Sequence, residues 1–172
     1  LRDGKDYYMT HSPFYYAPGF LIWHSTDLLH WEPVCRALPE YEGSAMAPDL
    51  LKYQGRYYIY YPTSTGENYV IYADNIRGPW SKPVKLDVRG IDPGHVVGED
   101  GKRYLFTNNG WITPLSNDGL KVTGKSRKVY DGWEYPVNWV TEGKDMYLES
   151  PKLLYKDGYY YMMSAEGGTA GP

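Results

Sequence analysis

Two of the 21 acidic residues in this chain stand apart by position. Asp92 lies nine residues before Gly101, and Glu149 lies nine residues before Gly158. Each glycine opens an aromatic run, Gly101-Lys102-Arg103-Tyr104-Leu105-Phe106 and Gly158-Tyr159-Tyr160-Tyr161-Met162-Met163. Glu149 sits within Met146-Tyr147-Leu148-Glu149-Ser150-Pro151-Lys152-Leu153-Leu154, an apolar, strand-forming run in which a solvated face does not explain a carboxylate. Asp92 is set similarly, after Ile91 and before Pro93-Gly94. Two carboxylates brought together are the equipment for splitting a glycosidic bond. One, kept protonated by like charge and partial burial, donates to the leaving oxygen. The other, ionised, activates water or attacks the sugar. The plainer alternative is that each carboxylate caps a strand start by accepting backbone N–H groups.

What must position them is a repeat. Gly4-Lys5-Asp6-Tyr7-Tyr8-Met9 and Gly55-Arg56-Tyr57-Tyr58-Ile59-Tyr60 share the pattern, and the four turn glycines are 51, 46 and 57 residues apart. A period near fifty marks a repeat architecture. The second unit reads as four strands: 46–53, then 56–61 after the Gln54-Gly55 turn, 69–73, and a short outer strand after Arg77-Gly78-Pro79-Trp80. In the first unit, 7–10 and 20–25 are strands, and Asp27-Leu28-Leu29-His30-Trp31 ends the unit. The third runs from Ile91 through 104–107, Thr113 and 120–123 to a Trp-rich tail over 131–145; the fourth shows strands at 147–155 and 159–164. Four strands per unit fit an all-β fold, a β-propeller. WD40 and kelch signatures are not evident, and a solenoid is the other repeat class open to such a period. The expected units are blade one at 1–45, lacking its innermost strand, blade two at 46–90, blade three at 91–145 and the start of blade four at 146–172. About three and a half blades are expected, in a chain read as an internal piece of a longer protein. In a propeller the first strand of each blade is innermost, so Asp92 and Glu149 converge. The same offset gives Met46 in blade two and falls before Leu1 in blade one.

Composition narrows the partners. Aromatics make up 17% of the chain, with 20 Tyr and 6 Trp, and tyrosine-rich surfaces with scattered carboxylates suit neutral, hydroxyl-rich ligands. Most of these rings recur at equivalent strand positions, which argues for packing. The net charge of −3 gives no electrostatic case for nucleic acid or an anionic membrane. Cys35 is alone, which excludes an internal disulfide. His11, His24, His30 and His95 show no metal-ligand spacing, although His95 follows the Asp92 turn and is placed to face the cavity. No metal or cofactor is expected within this segment. Ser12, Ser44 and Ser150 lack a Gly-x-Ser-x-Gly setting, and Asn108-Asn109-Gly110 has turn character. The acidic sets Glu40/Glu42, Glu99/Asp100 and Glu142/Asp145 read as solvated loops.

Ile91-Asp92-Pro93 and Leu148-Glu149-Ser150-Pro151, on this period, resemble the family 43 glycoside hydrolases. Further matches are Tyr7-Tyr8-Met9-Thr10-His11-Ser12, Ile22-Trp23-His24-Ser25-Thr26-Asp27-Leu28-Leu29-His30-Trp31, Ala47-Pro48 and Ser164-Ala165-Glu166-Gly167-Gly168-Thr169. The resemblance implies a five-bladed propeller that acts on xylo- or arabino-oligosaccharides and polysaccharides and inverts the anomeric centre. It implies Glu149 as the general acid and Asp92 as the residue that orients that acid and tunes its pKa. It implies as general base an Asp of an Asp-Pro pair ahead of the first turn glycine. No such pair precedes Gly4, and Asp3 and Asp6 belong to the turn. Phe14 matches an aromatic bordering the sugar, and Trp111 and Glu166 are candidates for the cavity wall. Some family members hold an axial cation through their last blades. Met46 departs from a frequent Trp, and Gly94 from a frequent Ser; neither is expected to touch the proton-transfer groups. The rival readings are a non-catalytic carbohydrate-binding propeller and a protein-interaction propeller, the latter leaving the shared Asp92/Glu149 offset unexplained.

Overall fold

A computed structural model describes residues 1–41, 43–132 and 148–166. It falls into two compact units, Leu1–Leu86 and Asp87–Pro172. Apart from one 3-10 turn, every element among the described residues is a β-strand.

The first unit holds two four-stranded antiparallel meanders. One is β1 (Arg2–Asp3), β2 (Asp6–Met9), β3 (Gly19–Ser25) and β4 (Glu32–Leu38), in that spatial order. The other is β5 (Asp49–Tyr53), β6 (Arg56–Pro62), β7 (Asn68–Ala73) and β8 (Val84–Leu86). β6 is rich in tyrosine because it is buried on both faces, the situation that produces a continuous apolar strand. One face sends Tyr57, Ile59 and Tyr61 into a core with Phe20, Ile22, Leu38 and Ile71, where the rings of Phe20 and Tyr61 meet edge to face at 4.8 Å. The other face stacks Tyr58 on Tyr60. Each such buried side chain contributes roughly 1.5–3 kcal/mol.

The second unit holds β9 (Gly94–Val97), β10 (Arg103–Thr107), β11 (Trp111–Leu115) and β12 (Arg127–Lys128) in one antiparallel sheet. A hairpin of β13 (Leu148–Lys156) and β14 (Tyr159–Glu166) accompanies it. All four repeat glycines have positive φ: 65° at Gly4, 85° at Gly55, 73° at Gly101 and 84° at Gly158. No atom lies within 4 Å of where a Cβ would sit on any of them, so conformation rather than space demands glycine. Gln54-Gly55 and Asp157-Gly158 are positive at both positions, the type I′ geometry whose twist matches a tight hairpin.

Three elements differ from the sequence reading. The first unit does not end at Asp27–Trp31. Asp27 Oδ1 accepts the N–H groups of Leu29 and His30, and this turn leads into β4. Residues 120–123 are not a strand. The turn from Ser116 to Gly119 leaves only Val122 bridged to Leu115, and the outer pairing falls to Arg127 and Lys128. Arg2 and Asp3 pair with Tyr7 and Asp6, so a two-residue strand stands where the first unit was expected to have none. The expected 131–145 tail lies outside the described residues from 133 onward, as do Met146-Tyr147 and Gly167-Gly168-Thr169.

The second to fourth repeats share one backbone feature at or near the start of their first strands. Ala47, Asp92 and Ser150 have φ of 42°, 58° and 49°, and each is followed by proline. A non-glycine residue in this region costs about 1–2 kcal/mol, and proline has no N–H to offer a neighbouring strand.

Candidate active site

Asp92 and Glu149 lie in the second unit, and backbone contacts tie their segments together. The Asp92 turn is first anchored to its own sheet. Ile91 N–H donates to Asn108 Oδ1 at 2.9 Å, Asn108 N–H donates to Ile91 O at 2.8 Å, and Thr107 Oγ1 donates to Arg89 O at 2.6 Å. Asn108, read from the sequence as a turn residue, is thus also the clamp that fixes the chain beside Asp92.

From that anchor the Asp92 carboxylate reaches the hairpin. Its Oδ2 accepts the backbone N–H of Ser150 at 3.2 Å, and the side chain is buried, 8% exposed. The plain capping alternative therefore holds in part, since Asp92 does accept a backbone N–H. The N–H it accepts belongs to the residue after Glu149, which couples the two carboxylate positions. Burial pushes the Asp92 carboxyl above its ordinary value, against the opposing effects of the Ser150 N–H and the Lys152 charge.

Glu149 is the second residue of β13, half-buried, with Ala165 as its cross-strand partner. Its carbonyl accepts from Ser164 Oγ at 2.7 Å. The pairing register then shifts between Glu149 and Lys152, leaving Ser150 and Pro151 in a bulge. Bulges re-aim side chains and recur beside active sites. Two contacts fasten this bulge to the Asp92 turn besides the Ser150 N–H. Lys152 Nζ donates to Pro93 O at 2.8 Å. The backbone at Gly94 approaches so closely that a Cβ there would lie 1.9 Å from Pro151 O. Gly94, expected not to touch the proton-transfer groups, packs on the backbone of the strand that carries Glu149.

The other expected site residues divide. Glu166 ends β14 opposite Leu148, beside Glu149 on the hairpin, and its Oε1 accepts from Tyr130 Oη at 3.2 Å. Trp111 opens β11, and the Arg89 guanidinium lies 4.0 Å from its ring centroid. Phe14 belongs to the first unit, half-exposed, with φ of 50° and its N–H on Ala45 O at 3.0 Å. His95 is engaged within its own sheet. Its Nε2 accepts from Arg103 Nε at 2.9 Å, and burial together with the Arg103 charge brings its pKa down to about 3. Asp3 and Asp6, read from the sequence as turn residues, face each other at the ends of β1 and β2 and are held in ion pairs, Asp3 with Lys52 and Asp6 with His24. Among the described residues no group of three His, Cys, Asp or Glu side chains is placed to hold a metal ion.

Antiparallel four-stranded meanders repeated at a period near fifty are the blades of a β-propeller. The chain belongs to the glycosyl hydrolases family 43, whose model matches residues 1–172. It is 32% identical to a xylosidase/arabinosidase of Butyrivibrio fibrisolvens, covering 98% of this chain and 36% of that protein. It is 31% identical to a non-reducing end alpha-L-arabinofuranosidase of Bacteroides ovatus, covering 98% of this chain and 33% of that protein. A crystal structure of a family 43 protein from Bacillus licheniformis superposes with a TM-score of 0.82 at 34% identity, over 98% of this chain and 36% of that one. The chain thus spans about a third of the length of the relatives it matches.

Proposed function

We propose that this chain carries the general-acid part of an inverting glycosidase that releases xylosyl or arabinofuranosyl units from hemicellulose or its oligosaccharides. The observation that carries the reading is the bond from Ser150 N–H to the buried Asp92 carboxylate, which couples Asp92 to the strand bearing Glu149. The names of the relatives, xylosidase/arabinosidase and alpha-L-arabinofuranosidase, support the substrate class.

In this reading Glu149 starts protonated and gives its proton to the glycosidic oxygen as the bond from that oxygen to the anomeric carbon breaks. A water attacks the anomeric carbon from the opposite face and loses a proton to a carboxylate base. No residue of this chain is assigned as that base. Base and acid stand about 6.5–9.5 Å apart in an inverting enzyme, leaving room for the water. In this reading Asp92 orients the acid and tunes its pKa, from a position tied to the strand that carries Glu149. Its bond to Ser150 N–H fixes the direction of approach.

The test is Glu149→Gln in the intact protein. Turnover of natural xylo-oligosaccharides should fall by about 10²–10⁴. Turnover of aryl glycosides, whose leaving groups need no proton, should fall much less. Equal loss on both substrates overturns the acid assignment. Sugar binding with no hydrolysis by the unaltered protein favours the non-catalytic propeller instead.

A further inference from the structure

Lys152 has no part in the proton transfers above, yet its ammonium group lies between the segments that carry both carboxylates. It stands at the far end of the Glu149 bulge, paired with Met163 across the hairpin, and reaches a carbonyl 59 residues away in sequence. That carbonyl belongs to Pro93, the residue following Asp92. The Ser150 N–H to Asp92 bond and the close approach of Gly94 to Pro151 O complete a three-point attachment of the bulge to the turn. Of the three, only the lysine brings charge.

We propose that Lys152 is a positioning residue that staples the Glu149 bulge to the Asp92 turn and brings a positive charge to that junction. The proposal rests on the acid reading of Glu149. The charge does bear on Asp92: it opposes the upward push of burial, alongside the Ser150 N–H. The other titratable and charged groups on the packed elements are accounted for. On β9, His95 is neutral, and on β10, Arg103 bonds to it. β13 itself contributes Glu149 and the exposed Tyr155 and Lys156, and β14 contributes Glu166, which bonds to Tyr130, and the exposed Tyr159, Tyr160 and Tyr161. The 3-10 turn Asn108–Gly110 has no acidic or basic residue. Among the described residues, Lys152 is the cation that bears on Asp92.

The experiment compares Lys152→Arg, Lys152→Gln and Lys152→Met in the intact protein. It reads kcat and KM against pH on a xylo-oligosaccharide, thermal midpoints, and the titration of Asp92 by carboxyl ¹³C NMR. Lys152→Met should lower kcat about ten- to a hundredfold with a smaller change in KM, as expected for a misplacement near 1 Å. Removing a cation favours the protonated acid. The Asp92 titration and the acidic limb of kcat/KM should therefore both move up by about one pH unit. Lys152→Arg, which keeps charge and donor, should restore most of both. Lys152→Gln, which keeps a donor without charge, should keep the pH shift and decides the matter if the methionine variant does not fold. A loss that follows only the thermal midpoint, with the Asp92 titration unmoved and arginine no better than methionine, overturns the proposal. A Glu149→Gln protein that remains active on the oligosaccharide, while the Asp92 titration still follows Lys152, removes the catalytic reading and leaves the staple standing.

Discussion

Replacing Gly94 by alanine separates two physical expectations of opposite sign. By intrinsic propensity, alanine in place of glycine inside a strand stabilises by roughly 0.5–1 kcal/mol. Here the added Cβ would lie 1.9 Å from Pro151 O and 2.9 Å from Pro151 C, both backbone atoms that no side-chain rotation can move aside. Real Cβ atoms essentially never come nearer than 3.0 Å, so β9 and the bulge must part by about 1.1 Å. Overpacking of this kind costs about 1–3 kcal/mol, which outweighs the propensity gain. The displaced carbonyl is two residues from Glu149, so the carboxyl is carried along. A 1 Å misplacement of a catalytic group costs about 10²-fold in rate. Thermal unfolding and kcat on a xylo-oligosaccharide should therefore both fall in Gly94→Ala, and fall further in Gly94→Ser. An alanine variant with an unchanged or raised thermal midpoint and full kcat would refute the reasoning, because it would mean that β9 and the bulge do not meet as closely as 1.9 Å implies.

Two further variants report on the buried ionisable groups. His95 is neutral in the fold, with a pKa near 3 against an unfolded value of 6.5. The unfolded chain therefore binds the extra proton, and stability present above pH 6.5 is lost as pH falls toward 3, at up to about 1.4 kcal/mol per pH unit. His95→Gln retains an acceptor for Arg103 and should flatten this slope in melts run from pH 7 to pH 4. Asp92 has the opposite linkage: its folded pKa is raised, so its contribution is most favourable below the unfolded value of 3.8 and is lost as pH climbs through the folded one. Asp92→Asn keeps an oxygen for the Ser150 N–H and should raise the thermal midpoint at neutral pH while abolishing turnover of natural substrates.

The hairpins were legible in the sequence because their signals are local. A glycine with positive φ followed by an aromatic strand is written within six residues, and Gly55 and Gly158 adopt the turn that pattern implies. Outer strands were harder to read. β4 contains Pro33 and is partly exposed, and β12 is two residues long, so neither carries a strong period. Their pairing is decided by neighbouring strands rather than by their own residues. In the candidate site, the shared nine-residue offset picked out Asp92 and Glu149, and the structure links their segments through Ser150. The attachments that hold them were not legible. Lys152 meets a carbonyl 59 residues away, and nothing in the local run distinguishes it from a solvated lysine. Gly94 looked like a neutral departure because tightness of packing has no one-dimensional signature. His95 followed the Asp92 turn closely enough to suggest the cavity, but the buried Arg103 across the strand pair needed an acceptor and took its imidazole.

The left-handed residue before proline at Ala47, Asp92 and Ser150 has a consequence for how such sites diversify. The same backbone fitting is installed at or near the start of three successive first strands, whichever side chain it carries. On the fitting itself the three repeats carry Ala47, the Asp92 carboxylate and Ser150, and one residue earlier stand Met46, Ile91 and the Glu149 carboxylate. The backbone conformation therefore does not depend on which side chain stands on it. A substitution at such a position changes the functional group presented while the turn into the strand stays the same.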